Sequence, residues 1–320
     1  MYLIRGQHNI ELFRSRYPKN KLCGTIGNFD GLHLGHQAIL DKIKKNSKKY
    51  DAKTIVFFTE PHAAEYFAKI RDENSEIPPR ICPWREKVKL LKKYEIDFAF
   101  FLKFNNSLRT MTPENFISEI LESINLLSFT VGDDFRFGQN RKGDIDLLRD
   151  WGSKNNILIE NTETILFDNE RISSTRIRNA LSENNFELAK SLLGRPYTFS
   201  GKVVHGQHLG RTIDVPTANI WLPKQKLPIN GVYAVECLLN DKEIQGIANM
   251  GVRPTIGGSS PVLEIHLFDF NKDIYSQRLT VKFIKKIRDE KKFDNLDMLK
   301  LQIQEDISIA KNILNNAHDS

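Results

Sequence analysis

Cysteine is scarce in this chain, and its scarcity excludes a disulfide framework. Three cysteines occur among 320 residues, at positions 23, 82 and 237. Their odd number and wide spacing are typical of free thiols in a reducing compartment. We therefore expect a cytoplasmic location.

Long apolar runs are also missing. Residues 1–13 lack the apolar centre of a secretory signal, and no stretch reaches the roughly 18 apolar residues that a membrane-spanning helix requires. The GxxxxGK[ST] motif of a P-loop is absent as well. These absences predict no membrane partner and exclude the P-loop as a phosphate site.

A net charge of +7 favours a polyanionic partner, either a nucleic acid or a phosphorylated small molecule. The basic runs at 42–49 and 282–292 are interpreted as solvated faces, because neither has the interleaved aromatic residues of a nucleic-acid stacking surface. We therefore expect no nucleic-acid partner.

The length exceeds what one hydrophobic core usually supports, so we expect two domains. In the first part of the chain, short apolar runs alternate with longer helix-like segments. This alternation predicts an α/β domain with a parallel sheet, helices on both faces, and ligands at the carboxyl ends of the strands. The strand candidates are residues 22–26, 54–58, 97–102, 128–132 and 157–160.

The pattern changes after a short predicted helix at 185–193. Alternating strands separated by Gly and Pro turns follow, and they predict a small antiparallel β-barrel. From Asp294 onward, apolar residues recur at helical spacing and predict an amphipathic helix that packs on the barrel. We place the two domains at residues 1–184 and 185–320.

The segment GNFDGLHLGH, residues 27–36, joins the first predicted strand to a predicted helix. Its glycines allow close backbone approach to a ligand, and the helix offers unpaired N–H groups and a positive dipole end. His33 and His36 lie on nearly the same side of the helix start and can both donate to phosphoryl oxygens. Ordinary surface or core histidines, or a metal site with Cys23, remain alternatives.

Two further segments of the first domain carry functional chemistry. In VGDDFRFG, residues 131–138, two phenylalanines could stack on an aromatic ring system while Asp133, Asp134 and Arg136 supply polar contacts. RISSTRIR, residues 171–178, brings hydroxyls and arginines to a helix start, where an anion can bind. The alternatives are two core phenylalanines and an ordinary capped helix with surface arginines.

The predicted barrel contains two candidate groups. In PTAN, Thr217 and Asn219 offer hard oxygen ligands suited to Mg²⁺. Glycines around this segment, Gly201, Gly206 and Gly210, could form a flexible flap of N–H donors. Glu264 points to the opposite face from its apolar neighbours and could accept a hydroxyl proton. An ordinary turn and a solvent-facing glutamate are the alternatives.

Taken together, these motifs resemble those of the bacterial bifunctional riboflavin kinase and FAD synthetase family, in the same order and over essentially the whole chain. The resemblance implies a Rossmann-like HxGH nucleotidyltransferase domain followed by a riboflavin kinase barrel with a C-terminal helix. It implies that riboflavin and ATP give FMN, that FMN and ATP give FAD, and that both steps use Mg²⁺.

The family pattern assigns roles to residues of this chain. In the first domain, His33 and His36 are catalytic, and the isoalloxazine ring lies near Asp133, Asp134, Phe135, Arg136 and Phe137. His62 also belongs to the flavin-binding set and contacts the nucleotide or the flavin phosphate. ATP is bound there by the glycine loop and the RISSTRIR segment, through Gly27, Asn28, Phe29, Asp30, Gly31, His33, His36, Arg171, Ser173, Ser174, Thr175 and Arg178.

In the barrel, the family pattern makes Glu264 the base for the riboflavin 5′-hydroxyl. Thr217 and Asn219 hold Mg²⁺ and, together with Gly201, Gly206 and Gly210, bind the nucleotide. The flavin is bordered by Arg288 and Phe293.

Two positions depart from the family. Ala63 replaces the second proline of a PHP element, and Asp214 stands where glycine is usual and a carboxylate would repel phosphates unless it turns away or helps to hold Mg²⁺.

Other functions are weighed against this one. Another HxGH transferase with an accessory barrel would not need VGDDFRFG and PTAN together. A tRNA synthetase is excluded because the lysine-rich second signature is missing. An RNA-binding barrel would fit the positive charge, but the chain lacks an RNP1-like aromatic strand.

Overall fold

The computed structural model describes residues 1–71, 77–206, 215–222, 226–255 and 258–318. The chain forms two compact units. The first comprises Met1–Pro78 and Lys87–Ser173, and the second comprises Pro79–Glu86 and Ser174–Ser320. The predicted boundary after residue 184 stays a prediction.

The first unit is built around a parallel sheet of six strands in the order β1-β4-β3-β2-β5-β6. Its strands are β1 (Tyr2–Arg5), β2 (Leu22–Ile26), β3 (Lys53–Glu60), β4 (Phe98–Lys103), β5 (Leu126–Gly132) and β6 (Leu158–Thr162), with a hairpin of β7 (Leu166–Phe167) and β8 (Glu170–Arg171). The helices that begin in or connect this unit are α1 (Ile10–Arg16), α2 (Leu34–Lys49), α3 (Ala63–Arg71), α4 (Trp84–Lys93), α5 (Asn106–Thr110), α6 (Pro113–Phe116) and α7 (Ile145–Asn155).

Burial explains why these strands are continuous apolar runs. In β3, Ile55, Val56, Phe57 and Phe58 are all completely buried, as expected for a parallel strand covered on both faces. Phe57 stacks on Phe100 of the neighbouring β4 at 5.3 Å between ring centroids. The predicted α/β architecture of this unit is confirmed.

One helix of the first unit has an irregular end. Thr112 caps α6 by accepting the Asn115 N–H at 3.2 Å, and Pro113 follows at the first helical position, as the sequence indicates. The helix then continues as a π-helical turn, Ile117–Leu121. This turn places Ile120 and Leu121 in the core of the sheet.

The second unit contains the closed barrel β10-β13-β12-β11-β14-β9, with every pair of neighbouring strands antiparallel. Its strands are β9 (Thr198–Val204), β10 (Ala218–Ile220), β11 (Gly231–Leu239), β12 (Lys242–Thr255), β13 (Gly258–Leu267) and β14 (Arg278–Arg288). Its helices are α8 (Ser174–Ser182), α9 (Phe186–Leu193) and α10 (Leu296–His318). The predicted barrel and C-terminal helix are confirmed.

Two apolar clusters hold helices against the barrel. The Phe186 ring of α9 packs against Tyr197, Tyr233 and Phe283. Buried Ala310 and Leu314 of α10 pack with Val232, Ala234, Ile247 and Phe268. The amphipathic pattern of the C-terminal segment therefore reflects packing on the barrel.

No helix within the described residues is both long and apolar enough to cross a lipid bilayer.

Candidate active sites

The strand order of the first unit creates a ligand crevice. From β2 the chain goes to β3 and β4 on one side, whereas β5 and β6 pair on the other side of β2. Such a switch in strand order opens a crevice at the carboxyl ends of the two strands where it occurs. The segments that leave β2 and β5 are GNFDGLHLGH and VGDDFRFG, so the topology brings these two predicted motifs together.

The loop after β2 has an unusual backbone. Phe29 and Leu32, both without exposed surface, have positive φ values of 49° and 46°. Such values are uncommon outside glycine, so the buried side chains stabilise a backbone that would otherwise be unfavourable. Burial of these two side chains thereby supports the conformation of the loop. Asp30, also predicted to bind the nucleotide, is 1% exposed.

His33 and His36 lie side by side where the loop becomes α2. Their rings stack with centroids 3.7 Å apart and planes inclined by 20°. His33 is the N-cap, and its Nδ1 accepts the His36 backbone N–H at 3.3 Å. In a neutral imidazole the proton then lies on Nε2, which is a donor. A Cβ on Gly35 would lie only 3.2 Å from the His33 ring, so glycine leaves room for this stack.

The His36 imidazole lies in a positively charged, desolvated environment. Burial, followed by the charges of His33, Lys87 and His62, holds its pKa well below 6.5. Its Nδ1 is a buried atom without a hydrogen-bond partner among the described residues. The Phe29 ring supports His36 at 5.0 Å between centroids. A neutral His36 can therefore donate a hydrogen bond to an anion, but it carries no charge of its own that would attract the anion.

Lys87 of α4 is a member of this cluster to which the sequence analysis gave no role. The side chain is completely buried, and its Nζ donates to the Asn28 carbonyl at 2.6 Å. The same Nζ lies 3.3 Å from Nε2 of His62, whose side chain is 6% exposed. Lys87 therefore connects Asn28 and His62, two residues predicted to belong to the site, although Lys87 itself lies in none of the motifs.

The acidic residues after β5 face an arginine from the β7–β8 hairpin. Arg171 Nη2 lies 3.1 Å from Asp133 and 2.9 Å from Asp134, and Thr164 donates to Asp133. Arg136 is 3.7 Å from Asp144. Arg171, which is predicted to bind the nucleotide, therefore contacts Asp133 and Asp134, which are predicted to bind the flavin.

The two phenylalanines of VGDDFRFG differ in burial. Phe137 is 6% exposed and packs against Phe116 in the core. Phe135 is half-buried and stacks on Phe137 at 5.5 Å with nearly parallel rings. Phe135 therefore keeps exposed surface for a ligand, whereas Phe137 supports it from the core. Flavin contact by either residue stays a prediction.

RISSTRIR is divided between the two units. Arg171, Ile172 and Ser173 belong to the first unit, and the Ile172 carbonyl lies 3.7 Å from where a Gly35 Cβ would be. Ser174, Thr175 and Arg178 begin α8 in the second unit. Arg178 Nε donates to the Pro79 carbonyl at 2.8 Å. Triphosphate contact by the α8 residues stays a prediction.

The barrel aligns three polar residues on neighbouring strands. Glu264 of β13 is the register partner of Asn219 on β10 and of Asn249 on β12. Directly paired residues of antiparallel strands point to the same face. Because the flanking Leu263 and Ile265 are completely buried inside, the row lies on the outer face. Sequence analysis missed Asn249, since only strand register reveals it.

The PTAN segment is anchored beside this row. The Pro216 carbonyl lies 2.9 Å from Nδ1 of His266, two residues after Glu264 on the same face of β13. Thr217 and Asn219 are half-buried. The segment thus places Asn219 opposite Glu264, with Thr217 two residues earlier in the chain.

The three predicted kinase glycines have different surroundings. Gly201 lies within β9, where an added Cβ would overlap Ile220, so it is a strand residue and not part of a flexible flap. Gly206 follows β9, and a Cβ there would overlap the Asn219 amide. Gly210, like Asp214, lies outside the described residues. Nucleotide contact by these glycines stays a prediction.

Arg288, predicted to border the flavin, is engaged in an ion pair. Its Nε and Nη2 both donate to the carboxylate of Asp306 on α10, at 3.0 and 2.7 Å, and Asp306 is 2% exposed. Arg288 also lies over the half-buried Phe293 ring at 5.7 Å. Its observed contacts connect β14 to α10, and flavin contact by Arg288 and Phe293 stays a prediction.

Within the described ranges, no group of three or more His, Cys, Asp and Glu side chains has the arrangement of a metal site. The cysteines at positions 23, 82 and 237 are buried and form no disulfide bond.

Comparison with protein families finds two matches, one for each part of the chain. Residues 16–176 match the FAD synthetase family, and residues 193–314 match the riboflavin kinase family. The two matches together cover most of the chain, and their order is that of the predicted domains.

Curated relatives match the chain over almost its whole length. The bifunctional riboflavin kinase/FMN adenylyltransferase of Escherichia coli strain K12 is 42% identical over 313 residues, covering 97% of each chain. The Haemophilus influenzae protein with the same description is 40% identical over 318 residues, covering 99% of this chain and 100% of its own.

A solved structure has the same fold. The crystal structure described as a macrolide-efflux protein from Streptococcus pneumoniae superimposes with a TM-score of 0.78 at 28% identity. The alignment covers 98% of this chain and 99% of that one.

Proposed function

Because the chain belongs to the bifunctional riboflavin kinase/FMN adenylyltransferase family, we propose that it converts riboflavin to FMN and FMN to FAD, each with ATP. The observation that carries this proposal is the presence of two separate polar sites, one at the β2–β5 crevice and one on the barrel, each within the part that matches the corresponding enzyme family. The substrates and products are riboflavin, FMN, FAD and ATP.

Adenylyl transfer takes place at the crevice of the first unit. A phosphate oxygen of FMN attacks the α-phosphorus of ATP, a new P–O bond forms, and pyrophosphate leaves with the electrons of the broken bond. Positioning and charge stabilisation supply most of the rate in such in-line displacements. His33 and His36, with the N-terminal N–H groups of α2, bind and stabilise the phosphates.

Flavin binding in the first unit uses the segment after β5. The exposed part of Phe135 covers the ring system, while the acidic residues and Arg171 order the rim of the crevice. His62 lies at the phosphate end, beside Lys87 and Asn28.

Riboflavin phosphorylation takes place on the barrel. Glu264 accepts the proton of the riboflavin 5′-hydroxyl as its oxygen attacks the γ-phosphorus, and ADP leaves. The register partners Asn219 and Asn249 flank the carboxylate on both sides. These two amides keep the surroundings of the Glu264 carboxylate polar.

The PTAN oxygens fit a hard divalent cation. The Thr217 hydroxyl and the Asn219 amide oxygen are of the donor type that Mg²⁺ prefers, and the Glu264 carboxylate lies on a neighbouring strand. Bound Mg²⁺ would neutralise charge on the ATP phosphates. Thr217 and Asn219 would hold it, and the adenylyl-transfer step also uses MgATP. The buried cysteines, which form no disulfide bond, support a cytoplasmic location.

The test is product analysis of the purified protein. Incubation with riboflavin and MgATP should give FMN and then FAD, separated by chromatography, with release of ADP and pyrophosphate. Incubation with FMN and MgATP should give FAD alone. Absence of both products, with a relative from Escherichia coli active in parallel, would refute the proposal.

A further inference from the structure

A buried lysine next to histidines needs a specific explanation. Lysine is almost never fully buried unless it is paired, because removing its charge from water is costly. Lys87 is nevertheless completely buried. It lies in the phosphate crevice of the first unit, and no family motif of the sequence analysis includes it.

The contacts of Lys87 are those of a charged donor. An ammonium group has three N–H donors and no acceptor. One donor meets the Asn28 carbonyl at 2.6 Å, which is short for an N–H···O bond and typical of charge assistance. A second faces His62 Nε2 at 3.3 Å. The Nζ also lies 4.7 Å from the centre of the Phe58 ring, within the range of a cation–π interaction.

These contacts fix the proton of His62. Since the ammonium only donates, Nε2 of His62 must accept, and the proton of the neutral ring lies on Nδ1. His33 has the opposite arrangement, because its Nδ1 accepts the His36 N–H. Two imidazoles of one crevice are therefore held in opposite tautomers by contacts within the protein.

The same lysine also fixes the loop. Asn28 is the second residue after β2, and its side-chain oxygen accepts the Thr59 hydroxyl at 3.2 Å. The hydrogen bond from Lys87 to the Asn28 carbonyl immobilises the peptide group between Asn28 and Phe29. The part of the loop with positive φ values begins there. Two hydrogen bonds, from Lys87 and from Thr59, therefore restrain Asn28, which directly precedes the phosphate-binding turn.

We propose that Lys87 is a positioning residue for adenylyl transfer. It clamps the Asn28 carbonyl so that the glycine loop and the His33–His36 stack keep their geometry, and its contact with His62 Nε2 places the proton of the neutral His62 ring on Nδ1. Its charge also adds to a field that attracts the phosphates of ATP and FMN. This inference rests on the proposed adenylyltransferase activity.

The tautomer is tested directly on the wild-type protein. Nitrogen-15 NMR of histidine-labelled protein gives the protonation of each ring nitrogen, and the His62 signals are assigned by their loss in His62→Gln. We expect Nε2 of His62 to be unprotonated and Nδ1 to be protonated near neutral pH. A protonated Nε2 would overturn the proposal without any change to Lys87.

Kinetics of Lys87→Met test the positioning role. We expect kcat for FAD formation from FMN to fall about 100-fold, because misplaced reacting groups cost that order of rate, and the His62 signals to shift. FMN formation on the barrel should be unchanged, which confines the effect to the first unit, and a urea unfolding profile like that of the wild type shows that this unit is folded. Lys92→Met, at an exposed position of the same helix, should match the wild type in all of these measurements.

Lys87→Arg separates charge from shape. It keeps a cationic donor, so it should recover at least ten-fold of the activity lost in Lys87→Met. Equal activities of wild type and Lys87→Met would contradict the inference, as would a loss that Lys87→Arg does not reduce while FMN formation stays normal. A wild-type protein that forms no FAD would instead refute the proposed function itself.

Discussion

The imidazole of His36 owes its chemistry to burial and to three neighbours, two of which, Lys87 and His62, lie outside its own motif. Its position at the start of α2 follows from the motif, and the motif correctly predicted an imidazole pair behind a glycine turn. The low pKa does not follow from it, because it arises from burial and from the charges of His33, Lys87 and His62. A sequence motif identifies the groups, whereas folding sets their protonation.

The low pKa of His36 makes stability depend on pH. Above pH 6.5 both the folded and unfolded states carry a neutral His36. Below it, the unfolded state takes up a proton that the folded state does not. The free energy of unfolding should therefore fall as pH drops from 6.5 toward the lower folded-state pKa, by at most about 1.4 kcal/mol per pH unit from this group.

Urea titrations at pH 7.5 and 5.5 measure this dependence. Between the two pH values, the free energy of unfolding of His36→Gln should fall by about 1 kcal/mol less than that of the wild type. The control is His8→Gln, at an exposed position. Its free energy of unfolding should fall by as much as that of the wild type. A His36→Gln protein that loses the same free energy as the wild type would contradict the assignment.

Gly206 tests the barrel site at the residue scale. A Cβ at this position would overlap the Asn219 amide, so Gly206→Ala should push that side chain away from Glu264 and the proposed magnesium ligands. We expect FMN formation to fall at least about ten-fold, equivalent to about 1.4 kcal/mol in the barrier. FAD formation from added FMN, measured in the same preparation, should not change. Normal riboflavin phosphorylation would show that the Asn219 position is not needed.

At the scale of elements, the buried parallel strands were the most predictable part of the fold. β2 to β5 are apolar runs separated by helices, and hydrophobic burial on both faces requires that pattern. β6 (Leu158–Thr162) is an edge strand without a buried residue. β1 (Tyr2–Arg5) was missed because it is a four-residue edge strand next to β4. α3 was missed because it follows directly from the motif around His62.

Element packing also explains the site residues that sequence analysis could not find. Lys87 lies on a helix whose many lysines are mostly exposed, and it is 59 residues from Asn28 along the chain. Asn249 joins Glu264 only through the register of β12 and β13. Residues that share one motif could be predicted together, whereas residues brought together by strand or helix packing could not.

The ion pair between β14 and α10 should matter for stability. Asp306 is almost completely buried and accepts two donors from Arg288, so Asp306→Ala leaves that guanidinium without its main partner. We expect a loss of about 3 kcal/mol in the free energy of unfolding, measured by urea titration.

The matched control for this pair is an exposed one. Glu187→Ala breaks the Glu187–Lys190 pair of α9, both members of which are largely exposed, and should cost less than about 1 kcal/mol. If the two variants lose similar free energy, the Arg288–Asp306 pair does not hold α10 to the barrel. Arg288 would then be available for the predicted flavin contact.

At the scale of the whole molecule, two units each carry one set of chemical groups. The first has a parallel sheet with imidazoles at a switch in strand order, and the second has a barrel with a carboxylate between two amides. The central claim is therefore that each unit performs one of two consecutive reactions.

The most direct test of this claim measures the flavin products of Glu264→Ala and His36→Ala over time. Given riboflavin and MgATP, Glu264→Ala should form no FMN, yet it should convert added FMN to FAD at the wild-type rate. His36→Ala should convert riboflavin to FMN normally and accumulate it, with FAD formation reduced at least about 100-fold, the size expected when a charge-stabilising group is lost. If either folded variant loses both activities, FMN formation from riboflavin and FAD formation from added FMN, or if neither variant loses one of them, the assignment of one reaction to each unit is wrong.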